Sequence, residues 1–311
     1  MKLTGIHHLT AIASEPARNV AFYTRDLGMR MVKKTINFDD PETYHLYYGD
    51  ESGAPGTLLT FFPFPGVRAG RAGSGQVVAF AFRVREGSLG FWKERLEKLG
   101  HGHEEESGRF GEKMLSFRDP DGFRIELVES EPLPGITAAE RAGVPPEHAL
   151  AGFHGVVLRL DDPVPSAEFL TGLLGADEVG REAETHRLRL GDEVEGAVLD
   201  LMAAGSDGQG VGGAGTVHHI AWRTPDDEHQ EQAHQQIREA GTAVSPVTER
   251  NYFRSIYFRE PGGILYEIAT DPPGFTVDEP MESLGSRLML PPWMEPHRED
   301  IEARLPGIAG R

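Results

Sequence analysis

The pattern of apolar and polar residues repeats four times along the chain. Each repeat opens on a strand-like run, and the four runs are GIHHLTAI from Gly5, GQVVAFAF from Gly75, GFHGVVLR from Gly152 and GTVHHIAW from Gly215. An amphipathic stretch follows and ends at a glycine, the residue expected just past the last turn of a helix. These glycines are Gly28, Gly100, Gly175 and Gly241. Three further strand-like runs, joined by Gly, Pro and Asp turns, complete each repeat. The pattern therefore predicts four βαβββ modules of roughly 60 to 80 residues.

The back halves of the modules fall into two types. Modules 2 and 4 carry the related segments RDPDGFRIELV and REPGGILYEIA, whereas modules 1 and 3 share Gly-Asp-Glu at 49–51 and 191–193. The simplest explanation is that a two-module half was duplicated. We assign residues 1–130 to the first pair of modules and 152–271 to the second, joined by a linker rich in Pro and Ala at 131–151. Residues 272–311 form a C-terminal tail with a short charged helix near Glu295 to Leu305.

Amphipathic strands need a partner layer to bury their apolar face. Two βαβββ modules side by side supply eight strands, which is enough for a curved, half-open barrel around a cavity. The predicted fold class is therefore α+β, with the four modules arranged as two half-open eight-stranded barrels.

The composition narrows the partners and the chemistry. No apolar run approaches the ~20 residues of a membrane-spanning helix, and the opening MKLTGIHHLT has no signal-peptide core. We therefore expect a cytoplasmic protein with no membrane partner. The formal net charge of -18 argues against nucleic acid, because phosphate contacts need concentrated Lys and Arg. The chain has no cysteine. A metal site would therefore use His, Asp and Glu, which suit Fe(II), Mn(II), Ni(II) or Zn(II).

The positions of candidate ligands decide how the modules pair. Adjacent strand residues point to opposite faces, so one histidine of each His-His pair can point into a barrel while the other supports it. The inward positions, two from each module, are His8, Thr60, Val78, Glu126, Gly155, Asp200, His219 and Glu267. Pairing consecutive modules gives neither barrel two histidines. Pairing module 1 with module 4 brings together His8, His219 and Glu267, with Thr60 in the fourth place, and leaves module 2 to pair with module 3.

Two histidines and one carboxylate on one face of a metal leave coordination sites open for substrate and dioxygen, as in non-haem Fe(II) enzymes. The other barrel has no inward imidazole and is predicted to be structural. A lone histidine on a strand is usually a satisfied core or surface residue, and we do not count His154 as a ligand. Glu126 is expected to pair with Arg124 or Arg109.

Several segments of the chain together resemble a known family. They are GIHHLT, YHLYYGDESGAPGTLLTFFP, VPPEHALAGFHGV, TVHHIAW, ERNYFRSIYFREPGGILYEIATDPPGF and the LPPW of the tail. The βαβββ modules resemble the vicinal oxygen chelate superfamily of glyoxalases, extradiol dioxygenases and antibiotic-resistance proteins. The ordered set of segments resembles, more narrowly, its hydroquinone-type ring-cleaving dioxygenases. The resemblance implies cleavage of a para-hydroquinone with Fe(II) and O2 as co-substrate.

The resemblance also implies roles for individual residues. The family's metal ligands fall on His8, His219 and Glu267, in agreement with the ligand positions above. Its supporting and substrate-facing residues fall on His7, Thr10, His218, Arg250 and Tyr257.

These supporting residues have simple chemical interpretations. Tyr257 can exchange a hydrogen bond with the substrate, although it is also compatible with a core aromatic. Arg250 can hold a developing oxyanion; its alternative is a surface ion pair with Glu249. His7 and His218 are expected to fix their neighbours from outside the barrel wall or at the pocket rim. Thr10 lies on the face of His8 and is expected to reach the ligand shell.

Four nearby residues are predicted to pack without a functional role, namely Tyr44, His45, Tyr47 and Tyr48.

Two alternative functions remain open at this point. A glyoxalase-type isomerase or lyase normally uses four protein ligands, for which Thr60 is a poor fourth. A metal-free barrel that binds a small-molecule antibiotic would lack the ligands. The expected partner is a small aromatic substrate, and the sequence leaves a homo-oligomer open.

Overall fold

The four predicted modules are present in the computed structural model, which describes residues 1, 3–206 and 208–308. Module 1 comprises β1 (Ile6–Ala13), α1 (Pro16–Val20), β2 (Arg30–Asn37), β3 (Asp40–Gly49) and β4 (Leu58–Pro63). Module 2 comprises β5 (Gln76–Val84), α2 (Leu89–Leu99), β6 (His103–Ser107), β7 (Lys113–Arg118) and β8 (Arg124–Glu129). Module 3 comprises β9 (Phe153–Leu160), α3 (Pro163–Gly172), β10 (Asp177–Glu182), β11 (Thr185–Leu190) and β12 (Ala197–Ala203). Module 4 comprises β13 (Thr216–Thr224), α4 (Asp227–Glu239), β14 (Thr248–Glu249), β15 (Arg254–Arg259) and β16 (Leu265–Thr270).

The strands form two eight-stranded sheets, each built from two modules. One has the order β14-β15-β16-β13-β1-β4-β3-β2, and the other has the order β10-β11-β12-β9-β5-β8-β7-β6. Modules 1 and 4 therefore share one sheet, the first barrel, and modules 2 and 3 share the other, the second barrel. The α+β class and the pairing predicted from the ligand positions are both confirmed.

Alternation along the central strands separates the core from the barrel interior. On β1, Leu9 and Ala11 belong to the main apolar core, which also buries Trp92 of α2 and Trp222 of β13 completely. His8 and Thr10 point to the other face. Full burial of a large apolar side chain contributes about 1.5–3 kcal/mol. The outward face therefore stabilises the fold and leaves the inward face for polar side chains.

Two buried hydrogen bonds join the barrels at equivalent places. Tyr23, in the π-helical turn Ala21–Asp26 that follows α1, donates to Asp119 of module 2 over 3.0 Å. Ser166 of α3 donates to Glu260 of module 4 over 2.5 Å. The two carboxylates occupy the same place in RDPDG and REPGG, and each also accepts backbone N–H groups of its own turn. Each bond thus fixes a turn of one barrel to a helix that packs on the other.

The C-terminal tail packs against β2, the edge strand of the first barrel. Lys33 of β2 is completely buried, and its ammonium group lies 2.6 Å from a carboxylate oxygen of Asp278 and 2.6 Å from one of Glu279. The tail contains α5 (Arg298–Arg304), close to the predicted charged helix. Within the part of the chain that the structure describes, no helix has the length and apolar character needed to cross a membrane.

Candidate metal centre

Three side chains converge inside the first barrel. They are His8 on β1, His219 on β13 and Glu267 on β16, and all three are buried. The strands bring them together because His8 and Glu267 both pair with Ala221, on either side of β13. His219 Nε2 lies 3.0 Å from Glu267 Oε2 and 3.3 Å from His8 Nε2, and His8 Nε2 lies 3.5 Å from Glu267 Oε2.

These distances fit a single metal ion. Ligand atoms about 2.1 Å from a metal, and at right angles to each other, lie about 3.0 Å apart. A mixed imidazole and carboxylate set suits Fe(II), Mn(II) or Zn(II). Among the described residues, this is the one group of three His, Asp or Glu side chains whose ligand atoms converge in this way. The three side chains can therefore hold a divalent metal.

A β-bulge places a second histidine beside His8 and another beside His219. The ladder between β1 and β13 skips His7 and His218, so the strict alternation expected for neighbouring strand residues is interrupted at both. The Nδ1 atoms of His7 and His8 are 2.9 Å apart, and those of His218 and His219 are 2.8 Å apart. A hydrogen bond at Nδ1 fixes the ring and its tautomer and leaves Nε2 free to coordinate.

The surroundings favour neutral imidazoles at His7, His218 and His219 and an ionised carboxylate at Glu267. Burial, aided by the adjacent His8, lowers the pKa of His7 well below its ordinary value. Burial and the adjacent His219 lower the pKa of His218 to about 4, and burial also lowers the pKa of His219. Burial raises the pKa of Glu267, but the imidazoles of His8 and His219 outweigh that effect and hold it well below its ordinary value. A neutral imidazole at His219 and a carboxylate at Glu267 are the protonation states that a metal requires of such ligands.

A cavity of about 340 Å³ includes these three side chains in its wall. Much of the remaining wall is aromatic and includes Phe38, Phe62, Phe64 and Phe253. Sites for small organic molecules are typically apolar, with a few placed polar groups. The cavity therefore suits a small aromatic molecule lying against the metal position.

Arg250 and Tyr257 form a polar pair on the module 4 side of this cavity. Arg250 Nε donates to the Tyr257 hydroxyl over 3.1 Å, and the guanidinium lies 5.3 Å from the centre of the tyrosine ring. Arg250 also forms an ion pair with Asp39 over 3.2 Å, whereas the alternative considered from the sequence was Glu249. Burial and the charge of Glu267 raise the pKa of Tyr257, so its phenol stays protonated.

The module 1 side carries polar groups whose place the sequence did not reveal. His45 and Tyr47, predicted only to pack, both line the cavity. The Tyr47 hydroxyl lies 2.9 Å from His45 Nδ1, and His45 Nε2 lies 2.9 Å from the Thr60 hydroxyl. The Thr10 hydroxyl lies 2.8 Å from that of Thr60. The other two residues pack as predicted: Tyr44 lies against the main core, and Tyr48 is buried within it.

The second barrel replaces this centre with ion pairs. The pair Ala79–Val157 in the second barrel occupies the place of the pair His219–Thr10 in the first. Ala79, not Val78, therefore lies at the position of His219. The sequence alignment was therefore wrong by one residue here; like Val78, Ala79 carries no metal-ligating group. His154 lies at a bulge of β9 and its Nε2 contacts Glu112 Oε1 over 2.8 Å.

Arg109 occupies the centre of the second barrel. Its guanidinium lies 2.5 Å from Asp200 Oδ2 and 2.5 Å from Glu126 Oε2, and both carboxylates are buried. Glu126 also accepts from Arg124, and Asp200 from Arg187, so both arginine partners predicted for Glu126 are present. Arg109 precedes Glu126 by 17 residues, as Arg250 precedes Glu267. The residue after each arginine has a positive φ, 58° at Phe110 and 66° at Asn251. The two arginines are therefore equivalent in the repeat.

Paired βαβββ modules around an open His-His-Glu centre define a class of metal-binding barrel proteins. The chain belongs to the Glyoxalase/Bleomycin resistance protein/Dioxygenase superfamily, whose family model matches residues 5–127 and 152–268. The relative "Putative ring-cleaving dioxygenase MhqO" of Bacillus subtilis (strain 168) is 48% identical over 305 residues, covering 98% of this chain and 96% of the relative.

Two further relatives extend the comparison. "Chlorohydroquinone/hydroquinone 1,2-dioxygenase" of Sphingobium indicum is 34% identical over 306 residues, covering 96% of this chain and 95% of that protein. A crystal structure of a Bacillus subtilis subsp. subtilis str. 168 protein superimposes with a TM-score of 0.93 at 46% identity, covering 100% of this chain and 99% of the other. Similar proteins are therefore named as ring-cleaving dioxygenases, and the fold is shared over the whole chain.

Proposed function

We propose that the protein is a ring-cleaving dioxygenase that uses Fe(II) and O2 to open a hydroquinone or a related dihydroxylated aromatic ring. The observation that carries the proposal is the convergence of His8, His219 and Glu267 in the wall of a largely aromatic cavity. The names of relatives that align over nearly the whole chain support it. Mn(II), Ni(II) and Zn(II) fit the same ligands and are the alternative metals.

The chain would hold the metal with three ligands. Bound between His8, His219 and Glu267, the metal would bring a phenolate and dioxygen together and polarise both. The hydroxyl of Thr60, in the fourth place, is hydrogen-bonded to Thr10 and His45. The remaining coordination sites are therefore left to substrate and dioxygen, which favours an oxygenase over an isomerase with four protein ligands.

The residues around the ligands position them and the substrate. Hydrogen bonds that the Nδ1–H groups of His8 and His219 donate to His7 and His218 hold the two ligand imidazoles at fixed angles. The aromatic wall excludes water from the ring. Arg250 stabilises a substrate oxyanion, since its guanidinium stays charged in any surroundings. Tyr257, whose phenol stays protonated, donates a hydrogen bond to a substrate oxygen.

An oxygen-uptake experiment tests the proposal. Purified protein, stripped of metal and loaded anaerobically with Fe(II), should consume O2 when hydroquinone is added in air-saturated buffer, with loss of the aromatic absorbance. Protein loaded with Zn(II) is the control and should consume none. Absence of uptake with hydroquinones and catechols, together with turnover of a glutathione hemithioacetal, would overturn the proposal in favour of a glyoxalase-type isomerase.

A further inference from the structure

The register of the first barrel relates module 1 to module 4 by a two-fold axis between β1 and β13. His8 pairs with Ala221 in the same way as His219 pairs with Thr10, so the axis exchanges the two histidine ligands. Continuing outward on either side, Thr60 pairs with Thr10 as Glu267 pairs with Ala221. The axis therefore exchanges Thr60 with Glu267.

The same relation exchanges two tyrosines that line the cavity. Tyr257 pairs with Glu267 on β16, and Tyr47 pairs with Thr60 on β4. The residue two positions before each tyrosine contacts the strand partner of that tyrosine. Ser255 donates to Glu267, the partner of Tyr257, and His45 contacts Thr60, the partner of Tyr47. The walls of the cavity thus present equivalent tyrosines from opposite sides.

Each tyrosine has a polar partner of its own. Arg250 donates to the Tyr257 hydroxyl, whereas Tyr47 has the imidazole of His45 at 2.9 Å. His45 is held firmly, because Thr60 engages its other nitrogen and its ring packs 4.1 Å from that of Tyr47 and 4.3 Å from that of Phe62. When the Thr60 hydroxyl donates to Nε2, the Nδ1–H donates to the Tyr47 oxygen, and the hydrogen of Tyr47 is free for a ligand.

We propose that Tyr47 and His45 are specificity-determining residues that bind the second hydroxyl of the substrate, the one that does not bind the metal. This inference rests on the proposed function. A dihydroxylated ring brings two oxygens into the cavity, and the aromatic wall offers no partner to the second. Arg250 and Tyr257 serve one side of the ring. Among the other polar residues of the wall, Asp39 is paired with Arg250, Asn37 accepts the backbone N–H of Asp39, and His218 contacts His219. Tyr47 donates to the second oxygen, and His45 keeps the tyrosine hydroxyl oriented.

A comparison of two ligands tests the assignment. Tyr47→Phe removes the hydroxyl and keeps the ring. Dissociation constants for hydroquinone and for phenol, which lacks the second hydroxyl, are measured anaerobically on Fe(II)-loaded protein. Loss of one neutral hydrogen bond should weaken hydroquinone binding by about three- to tenfold and leave phenol binding unchanged. His45→Leu should have the same selective effect, and the double variant should lose little more. Tyr48→Phe is the matched control, since Tyr48 donates to Asn19 and is not part of the cavity wall.

The outcomes separate this inference from the proposed function. Equal loss for both ligands, or no loss, in Tyr47→Phe would overturn the inference, because a packing role does not distinguish hydroquinone from phenol. Metal content and circular dichroism confirm that each variant is folded, and His45→Leu provides the same test if Tyr47→Phe does not fold. Unaltered protein that neither binds hydroquinone nor consumes O2 with it refutes the proposed function and the inference with it. Unaltered protein that turns hydroquinone over, while both variants keep its preference over phenol, refutes the inference alone.

Discussion

Replacement of Arg109 by Met should destabilise the protein strongly while sparing the metal centre. The change removes the guanidinium that bridges Glu126 and Asp200, each only 1% exposed, and leaves two buried carboxylates with fewer partners. Breaking a buried ion pair costs about 3–5 kcal/mol. Arg124 and Arg187 still contact the carboxylates, so we expect the lower end of that range, about 3 kcal/mol.

The internal repeat supplies a matched control, Arg250→Met. Arg250 occupies the equivalent position, but its ion-pair partner Asp39 is 74% exposed. An exposed ion pair contributes about 0–1 kcal/mol, so this variant should be nearly as stable as the unaltered protein. The two variants should therefore separate stability from activity: Arg109→Met loses stability and keeps O2 uptake, and Arg250→Met does the reverse.

Urea unfolding followed by circular dichroism at pH 7 measures the stability of each variant. O2 uptake with hydroquinone, at urea concentrations below the unfolding transition, measures its activity. The free-energy difference should appear as a shift of the unfolding midpoint at an unchanged slope. A midpoint for Arg109→Met within error of that for Arg250→Met would refute the reasoning, since it would mean that the guanidinium is not needed to balance the buried carboxylates.

Three other predictions concern the candidate metal ligands and the buried carboxylate of Glu112. His8→Ala and Glu267→Gln should lose both bound metal and activity, whereas His154→Ala should keep both; metal analysis after gel filtration decides, and a Glu267→Gln protein that is still active would contradict the ligand assignment. The unaltered protein should bind one metal per chain, and removal of the metal by a chelator should lower the thermal midpoint, because the ion stabilises only the folded state. Burial raises the pKa of Glu112, but hydrogen bonds from His154 and Arg187 outweigh it and lower that pKa to about 2. A carboxylate with a depressed pKa stabilises the fold at neutral pH, and this contribution is lost as the pH falls from about 4.5 towards 2. Glu112→Gln should therefore flatten the stability profile in that window, and an unchanged slope in acid titrations would count against the pairing.

The sequence was sufficient to predict the modules and their pairing. Helix-stop glycines and turn segments recur at each module, so the repeat can be read locally. Pairing is a long-range property, but here the chemistry of the ligands decided it, because one arrangement alone places His8, His219 and Glu267 together. The ion pairs of Glu126 also followed from the choice of basic residues nearby.

The details of the cavity could not be predicted because they depend on strand register. The bulges at His7 and His218 are properties of the ladder and cannot be recognised in either strand alone. Tyr47 and Tyr257 are equivalent in the barrel, yet 13 residues separate Tyr47 from Thr60 whereas 10 separate Tyr257 from Glu267. The unequal turn lengths hide the relation in the sequence, and His45 and Tyr47 were therefore interpreted as packing residues.

The pairing of the first module with the fourth also sets when the metal centre can form. When a ribosome has released module 1, which ends at Pro63, the strand that must lie beside β1 begins about 150 residues further along the chain, at Thr216. Such distant pairing slows folding. Modules 2 and 3 can form their own barrel in the meantime. The positive charge at its centre is the guanidinium of Arg109, which is part of the chain itself. On the proposed function, a metal could bind only after Glu267 has emerged and modules 1 and 4 have paired.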